Sequence, residues 1–500
     1  MRKSASIRIV HGILWALALV AFLSCFLVLI GGATNVPVLG FTFSRINVAI
    51  GLKLDALSTI LFFMITLLAA AIARFAIRYL DGEERQWYFY RYLLLTVVGV
   101  SLFVLSSNLL MLFASWLLTS YGLHQLLLFY PERAEAINAA RKKALISRLG
   151  DLALIAGIAL VYDTFRSFEF DRIFAIYESW PAYRQVSGRM EVIMILFVTG
   201  AMIKSAQFPF HFWLPDTMAT PTPVSAMMHA GIINAGGFLM IRLSPLLESV
   251  QAGPALLIIA GAMTSVYGAL SMITQNNIKR KLGYSTISQM GMMLFACGLG
   301  AYGVALFHIF AHSFYKAHAF LSTGALVDEA RKTGFKLSPI SPFGILLGLA
   351  GVAGLVYGAF TFKGGALFPY FIYGSVLWLG FVQNSGVSPV KYSRIRVWAA
   401  IWLLMLVALA LYGIIEHGLG QYLMGITPDP ATASGLSVYS VSALAGLSFF
   451  VVGLLLTRTL QRSSSFSRRL YAYLLNGGYF SAASDRFFEK NTPVVRGGQV

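Results

Sequence analysis

Charge is what this sequence has least of. Asp, Glu, Lys and Arg make up 12% of its 500 residues, and only 20 residues are acidic. A soluble globular chain carries about 25% charged residues, so a water-soluble enzyme or binding module is excluded at the outset. Cysteine is almost absent. Cys25 and Cys297 both lie in apolar runs, which excludes a disulfide framework and a cysteine metal site. A P-loop, a hydrolase triad and a flavin site are also missing. Gly298-Leu-Gly-Ala-Tyr-Gly303 has the spacing of a dinucleotide fingerprint. It joins two apolar segments with no strand before it, so phosphate binding is not expected there.

What is present is apolar: 58% of the chain is hydrophobic. At about 20 residues per span, roughly fourteen spans would use about 280 residues, close to that share. Apolar segments lie near 9–30, 54–73, 92–107, 109–130, 144–161, 192–207, 222–241, 255–275, 283–299, 303–327, 343–362, 370–388, 398–415 and 440–457. Lipid offers the backbone no hydrogen-bond partners, so each segment must close its own bonds as a helix. The expected fold is an all-α polytopic membrane protein with about fourteen transmembrane helices. The first segment is longer than the roughly 7–15 apolar residues of a signal peptide, and an uncleaved span is expected.

The formal charge of +18 would suggest nucleic-acid binding in a soluble chain. Here the positive residues fall in alternate loops, as orientation in a bilayer requires, and no nucleic-acid partner is expected. Arg85 and Arg91, then Arg133, Arg141, Lys142, Lys143 and Arg148, then Lys279, Arg280 and Lys281 mark loops on one side. Arg331, Lys332 and Lys336, Lys391, Arg394 and Arg396, and a basic tail continue the pattern. Both termini are thereby expected in the cytoplasm. Residues 458–500 interleave charge with Leu, Tyr and Phe, which suits an amphipathic segment on membrane lipid or a partner.

Ionisable groups at membrane depth are costly and therefore functional candidates. Lys204 precedes Pro209, Pro215, Pro221 and Pro223. Prolines remove backbone donors and disfavour helix just before themselves, so a broken helix is expected, and a lysine at such a break can relay a proton. His229 follows in Ala226-Met-Met-His-Ala-Gly231. Imidazole both donates and accepts near neutral pH. His308, His312 and Lys316 are spaced i, i+4 and i+8, one stripe within about 12 Å of helix. A relay is the leading reading for the stripe. Metal or haem ligation is its rival, weakened because the intervening residues lack the glutamate of a zinc helix motif and no further ligand cluster is evident. Lys363, followed by Gly364 and Gly365, ends a second interrupted segment and is equally readable as an interfacial anchor.

Three stretches carry a family likeness: Lys204-Ser-Ala-Gln-Phe-Pro-Phe-His-Phe-Trp-Leu-Pro-Asp216 with Pro221-Thr-Pro-Val-Ser-Ala-Met-Met-His229, Asn277-Ile-Lys-Arg-Lys-Leu-Gly-Tyr-Ser-Thr-Ile-Ser-Gln-Met-Gly291, and Leu306 to Ser322. They resemble the antiporter-like membrane subunits of respiratory complex I and Mrp antiporters. Weaker echoes lie at Leu54-Asp-Ala-Leu-Ser58, Ser147-Arg-Leu-Gly-Asp151 and the tail. The resemblance implies inverted repeats with broken helices: transmembrane helices over 1–108, a first bundle over 109–241 broken near 204–223, a second bundle over 255–388, further helices over 398–457, and the tail at 458–500. It implies a proton or cation path through Lys204, His229, His308, His312, Lys316 and Lys363, supported by His124, Asp151, His211, Asp216 and His318. In complex I subunits a membrane glutamate follows a tryptophan and pairs with the first lysine. Here Trp116 is followed by Leu117, and 109–130 holds no acid and a single histidine, His124.

Within that family, Ala230-Gly-Ile-Ile-Asn-Ala-Gly-Gly-Phe-Leu-Met-Ile-Arg-Leu-Ser-Pro-Leu246 is most similar to the DabB-type membrane subunits of DAB inorganic-carbon complexes. That likeness implies a transporter subunit with no cofactor of its own and a DabA-like partner, a zinc protein resembling β-carbonic anhydrase. Ion flow would drive hydration of CO2 to bicarbonate on the partner. The alternatives are a pumping subunit of an NADH- or hydrogenase-linked complex and an Mrp-type sodium/proton antiporter subunit.

Overall fold

The structure is a computed structural model that describes residues 2–43, 46–181, 187–248, 250–324, 353, 372–376, 438–462 and 464–491. The segment expected near 398–415, all but residue 353 of that near 343–362, most of 370–388, and Lys363 lie outside the described residues. Among the described residues, seven helices are long and apolar enough to cross a membrane.

Helix α1 (Arg2–Gly31) leads into an antiparallel hairpin, β1 (Thr34–Phe43) and β2 (Ile46–Leu54), in which Thr34 pairs with Leu54 and Asn35 with Lys53. This hairpin departs from the all-α expectation. Its two runs are too short to span a bilayer as helices, and each finds its backbone partners in the other. Backbone bonds from Lys53 to Leu105 (2.7 Å) and from Ser107 to Gly51 (3.2 Å) tie it to the helical body.

Helices α2 (Ala56–Tyr79), α3 (Gln86–Val104) and α4 (Leu109–Leu127) follow, joined by short turns. Asp55 and Asn108 start α2 and α4 by accepting the amides of Ser58 (2.9 Å) and Met111 (2.7 Å). Such caps satisfy amides that the first turn leaves without carbonyls. Helix α5 (Ala134–Phe165) has 32 residues, about 48 Å at 1.5 Å per residue and well beyond the hydrocarbon core. Lys142 and Lys143, expected in a loop, therefore sit inside its first three turns, and both are buried. Their charge hid the start of the helix from an apolar-segment reading.

After the short α6 (Phe170–Glu178), α7 (Gly188–Lys204) ends at its lysine. The proline-rich stretch then makes only single turns: a 3-10 turn Phe210–Phe212, α8 (Trp213–Asp216) and a 3-10 turn Thr217–Ala219. Helix α9 (Thr222–Ala230) resumes with Pro223 in its first turn, where a missing amide costs nothing. A second interruption at Gly231 precedes a 3-10 turn Ile232–Asn234 and α10 (Ala235–Arg242), then α11 (Ser244–Leu247). The most apolar stretch of Thr222–Arg242 is wholly buried inside the protein, the circumstance in which broken backbone is tolerated at membrane depth.

Helices α12 (Ala252–Thr274), α13 (Ile278–Gly298) and α14 (Tyr302–Leu321) complete this half. Helices α12 and α13 meet backbone to backbone: a Cβ on Gly261 would lie 2.7 Å from the Gly291 carbonyl oxygen, and one on Gly268 would lie 2.6 Å from the Ser288 nitrogen. Small residues bring helices together where lipid removes the hydrophobic drive. The Gly298–Gly303 stretch is the turn between α13 and α14, with Gly300 at φ +74°. Helix α15 (Val438–Leu460) packs on α12, and the tail forms α16 (Ser465–Leu475) and α17 (Phe480–Asn491). Tyr471 donates to the Thr274 carbonyl (3.3 Å) and Gln275 to the Leu475 carbonyl (3.2 Å). These contacts set α16 against the end of α12 opposite the β-hairpin. The two faces are called the hairpin side and the tail side below.

Candidate functional site

Lys204, the last residue of α7, lies against the middle of α5. Its ammonium pairs with Asp151 and contacts Ser147 Oγ at 3.2 Å, with both charged side chains at least 94% buried. The Trp116 ring lies 5.0 Å from the ammonium, within cation–π range. Asp151 also receives Arg148 at 3.1 Å. Gly150 makes the approach possible, since a Cβ there would lie 3.3 Å from Lys204 Cγ. The acid absent from α4 is thus supplied by α5.

One turn toward the tail side, Lys143 donates to the Ser120 carbonyl (2.9 Å) and hydroxyl (2.7 Å), and its charge interacts with that of Lys204. Among the described residues no carboxylate lies in ion-pair range of it. Lys143, Ser147 and Asp151 are spaced i, i+4 and i+8, the same stripe geometry as on α14. Lys143 falls among the expected loop cations because it lies just outside the apolar segment at 144–161. A cavity of about 30 Å³ joins these groups, lined by Trp116, Ser120, Lys143, Ser147 and Lys204 and reaching Met228 and Ile232. That is room for one or two waters.

His229 follows Met228, which lines the cavity, and is itself fully buried and stacked on Phe320 with ring centroids 4.6 Å apart. Its Nδ1 is 3.0 Å from Thr286 Oγ1, and that hydroxyl donates to the Leu282 carbonyl at 3.0 Å. With the hydroxyl hydrogen committed, Nδ1 of neutral His229 is assigned as donor and Nε2 carries the free lone pair. Lys316 Nζ donates to the same Leu282 carbonyl at 3.1 Å. Thr286 and Lys316 therefore share one carbonyl oxygen, and His229 joins them through the Thr286 hydroxyl.

Along α14, His312 lies one turn from buried Lys316, and its ring stacks on His308 with centroids 5.9 Å apart. Both His312 nitrogens and His308 Nε2 are buried without a protein partner among the described residues. His308, Lys316 and His229 all lie close enough to His312 to influence it electrostatically. Four of the expected residues, His229, His308, His312 and Lys316, are thereby brought together in one buried cluster.

The others are placed elsewhere. His124, on α4, interacts with Lys143 and Arg148. His211 is buried in an aromatic box of Phe208, Tyr267 and Phe480, with centroids 5.7, 4.6 and 5.4 Å away. Asp216 lies on the tail side with Lys142. His318 is exposed and contacts Ser322 at 3.4 Å, off the His308–Lys316 face. Lys363 lies outside the described residues.

A second buried pair was not anticipated. Arg242 at the end of α10 pairs with Asp55, donates to Ser58 Oγ (2.6 Å), and both charged side chains are 99% buried. Nearby, Lys53 and Asn35 of the hairpin both bond Asp171. Burial opposes ionisation of Asp171, but those bonds outweigh it and hold the carboxyl below its usual range.

Residues 106–347 match the family model described as NADH:quinone oxidoreductase/Mrp antiporter, TM, and residues 41–90 match the model for the complex I chain 5 N-terminus. The chain is 40% identical over 294 residues to the probable inorganic carbon transporter subunit DabB2 of Halothiobacillus neapolitanus, covering 59% of this chain and 53% of that one. It is 35% identical over 298 residues to the corresponding DabB of Hydrogenovibrio crunogenus, covering 58% and 56%. NADH-ubiquinone oxidoreductase chain 5 of Metridium senile is 34% identical over 360 residues, covering 71% of this chain and 56% of that one. The chain spans about half the length of the curated relatives it matches. Its fold is shared with the Mrp complex of Dietzia sp. (TM-score 0.64, 20% identity, 100% of this chain and 61% of that one). It is also shared with the archaeal membrane-bound sulfane sulfur reductase (TM-score 0.59, 19% identity, 90% and 94%). Over residues 106–347 this multi-pass helical chain carries the complex I/Mrp antiporter-type membrane domain.

Proposed function

We propose that this chain is the ion-conducting membrane subunit of an inorganic-carbon uptake complex, with the proton as the ion. The observation that carries the conduction reading is the buried Lys204–Asp151 pair on a cavity with room for water. An ammonium sharing its proton with a carboxylate, a hydroxyl and water can give the proton up and take it back with small movements. Removed from water, such a group is costly to keep charged without a partner, so each arrival and departure of a proton changes the balance at its neighbours. The path runs from Lys143 through Lys204 and the cavity to His229 and Lys316, then to His312 and His308. Nε2 of His229 is the atom that accepts. The DabB names of the relatives support the carbon-uptake reading.

Ion flow down its gradient would drive CO2 hydration to bicarbonate on a DabA-like partner that holds zinc. The chain would sit in a bacterial inner membrane, as the bacterial DabB relatives suggest, with both termini cytoplasmic, an orientation the basic loops and tail support. The similarity to complex I chain 5 over 71% of this chain favours a second reading, a pumping subunit of an electron-transfer complex. The copurifying subunit decides between them: a large zinc protein supports carbon uptake, and iron-sulfur or flavin subunits overturn it. Lys204→Ala is expected to abolish bicarbonate-dependent growth rescue while the complex still assembles. Normal rescue by that variant would remove Lys204 from the path.

A further inference from the structure

Lys142, one residue before Lys143 on α5, points the other way. Its ammonium meets Asp216 Oδ2, Asp485 Oδ1 and Ser481 Oγ, each at 2.7 Å, and its side chain is 95% buried. Ser481 Oγ in turn donates to Asp216 at 2.6 Å. Asp216 belongs to the broken stretch after Lys204, whereas Ser481 and Asp485 belong to α17 of the tail. Together they border an open vestibule of about 580 Å³ that also exposes Glu135 and Arg280. Arg280 lies 3.9 Å from Asp216.

The single turn Trp213–Asp216 separates this vestibule from the buried cavity. Trp213 lines the cavity beside Lys204, and Pro215 and Asp216 line the vestibule. Water on the tail side therefore comes within one helical turn of the path. The electrostatics are also distinctive. The chain carries +18 overall, a field that repels protons, yet at this mouth the carboxylates of Glu135, Asp216 and Asp485 outnumber the cations of Lys142 and Arg280. Acid-lined clefts raise the local concentration of cations.

We propose that Lys142, Asp216, Ser481 and Asp485 form the tail-side proton port of the path, with the tail helix supplying one wall and one proton-collecting carboxylate. Asp485, 42% exposed, meets bulk water, and Asp216, 16% exposed, faces inward. A proton arriving on Asp485 neutralises one partner of Lys142. The Lys142 ammonium and the Ser481 hydroxyl link that carboxylate to Asp216, which stands against the partition. No bond other than those to the transferred proton changes. The port rests on the conduction reading and extends it to the supply of protons.

The test uses the purified full-length complex in oriented proteoliposomes, with the pH of each face set independently and proton flux read by a pH-sensitive dye. Asp485→Asn is expected to lower flux driven from the tail side by at least tenfold and to displace its dependence on tail-side pH. The dependence on hairpin-side pH should be that of the wild type. Asp485→Glu, which keeps the carboxylate, should restore most of the flux. Wild-type tail-side dependence in Asp485→Asn, alongside loss of flux in Lys204→Ala, would overturn the port and leave conduction standing. Equal loss in both directions with a lowered melting temperature and no rescue by Glu would reduce the tail to a brace and also overturn it. Normal flux in Lys204→Ala would instead overturn the conduction reading.

Discussion

Asp151→Asn tests the pairing that only the folded chain reveals. Asp151 and Lys204 are both deeply buried, and among the described residues the lysine has beyond Asp151 only the Ser147 hydroxyl, at 3.2 Å, and the face of Trp116. Removing one member of a buried pair while leaving the other costs about 3–5 kcal/mol. The cost emerges either as lost stability or as loss of the ammonium proton, and each disables the lysine as an exchanging relay. If it falls on the transfer step, at about 1.4 kcal/mol per factor of ten, proton flux drops roughly a hundredfold to a few thousandfold. Arg148 also loses a partner, but it is more than half exposed and such a contact is worth about 1 kcal/mol or less. The assay is dye-monitored proton uptake under an imposed potential, with melting temperature measured on the same preparation. Asp151→Glu keeps a carboxylate in reach and should retain flux within about tenfold of wild type. An Asn variant that conducts at the wild-type rate would refute the claim that α5 supplies the acid.

Lys143→Met should cut flux by at least tenfold without lowering the melting temperature, because Lys143 is a buried cation held by the Ser120 oxygens with no carboxylate to strand. A lower melting temperature with undiminished flux would make it structural instead. Asp55→Asn strands the Arg242 guanidinium at a site 99% buried and should cost about 3–5 kcal/mol, read as a lowered melting temperature and less assembled complex. Replacing both partners by apolar residues, Asp55→Leu with Arg242→Met, should recover much of that loss. Failure of the single change to destabilise would show that the pair is dispensable.

The sequence by itself determined the class of protein, since a bilayer obliges apolar segments to become helices whatever they pack against. It also determined the break after Lys204, because proline acts through its own ring and missing amide, and the His308–Lys316 stripe, because helical period is local. The β-hairpin and the early start of α5 escaped it: the first needs a partner strand, and the second is masked by lysines that only packing can bury. What tertiary structure alone decided is which charges meet. Asp151 and Lys204 stand 53 residues apart, Lys142 and Asp216 stand 74 apart, and Asp216 and Ser481 stand 265 apart. No local pattern encodes such pairings. They arise because close helix packing removes water from these charges, and a buried charge is held only where a facing element supplies an opposite charge or a hydrogen-bonding oxygen.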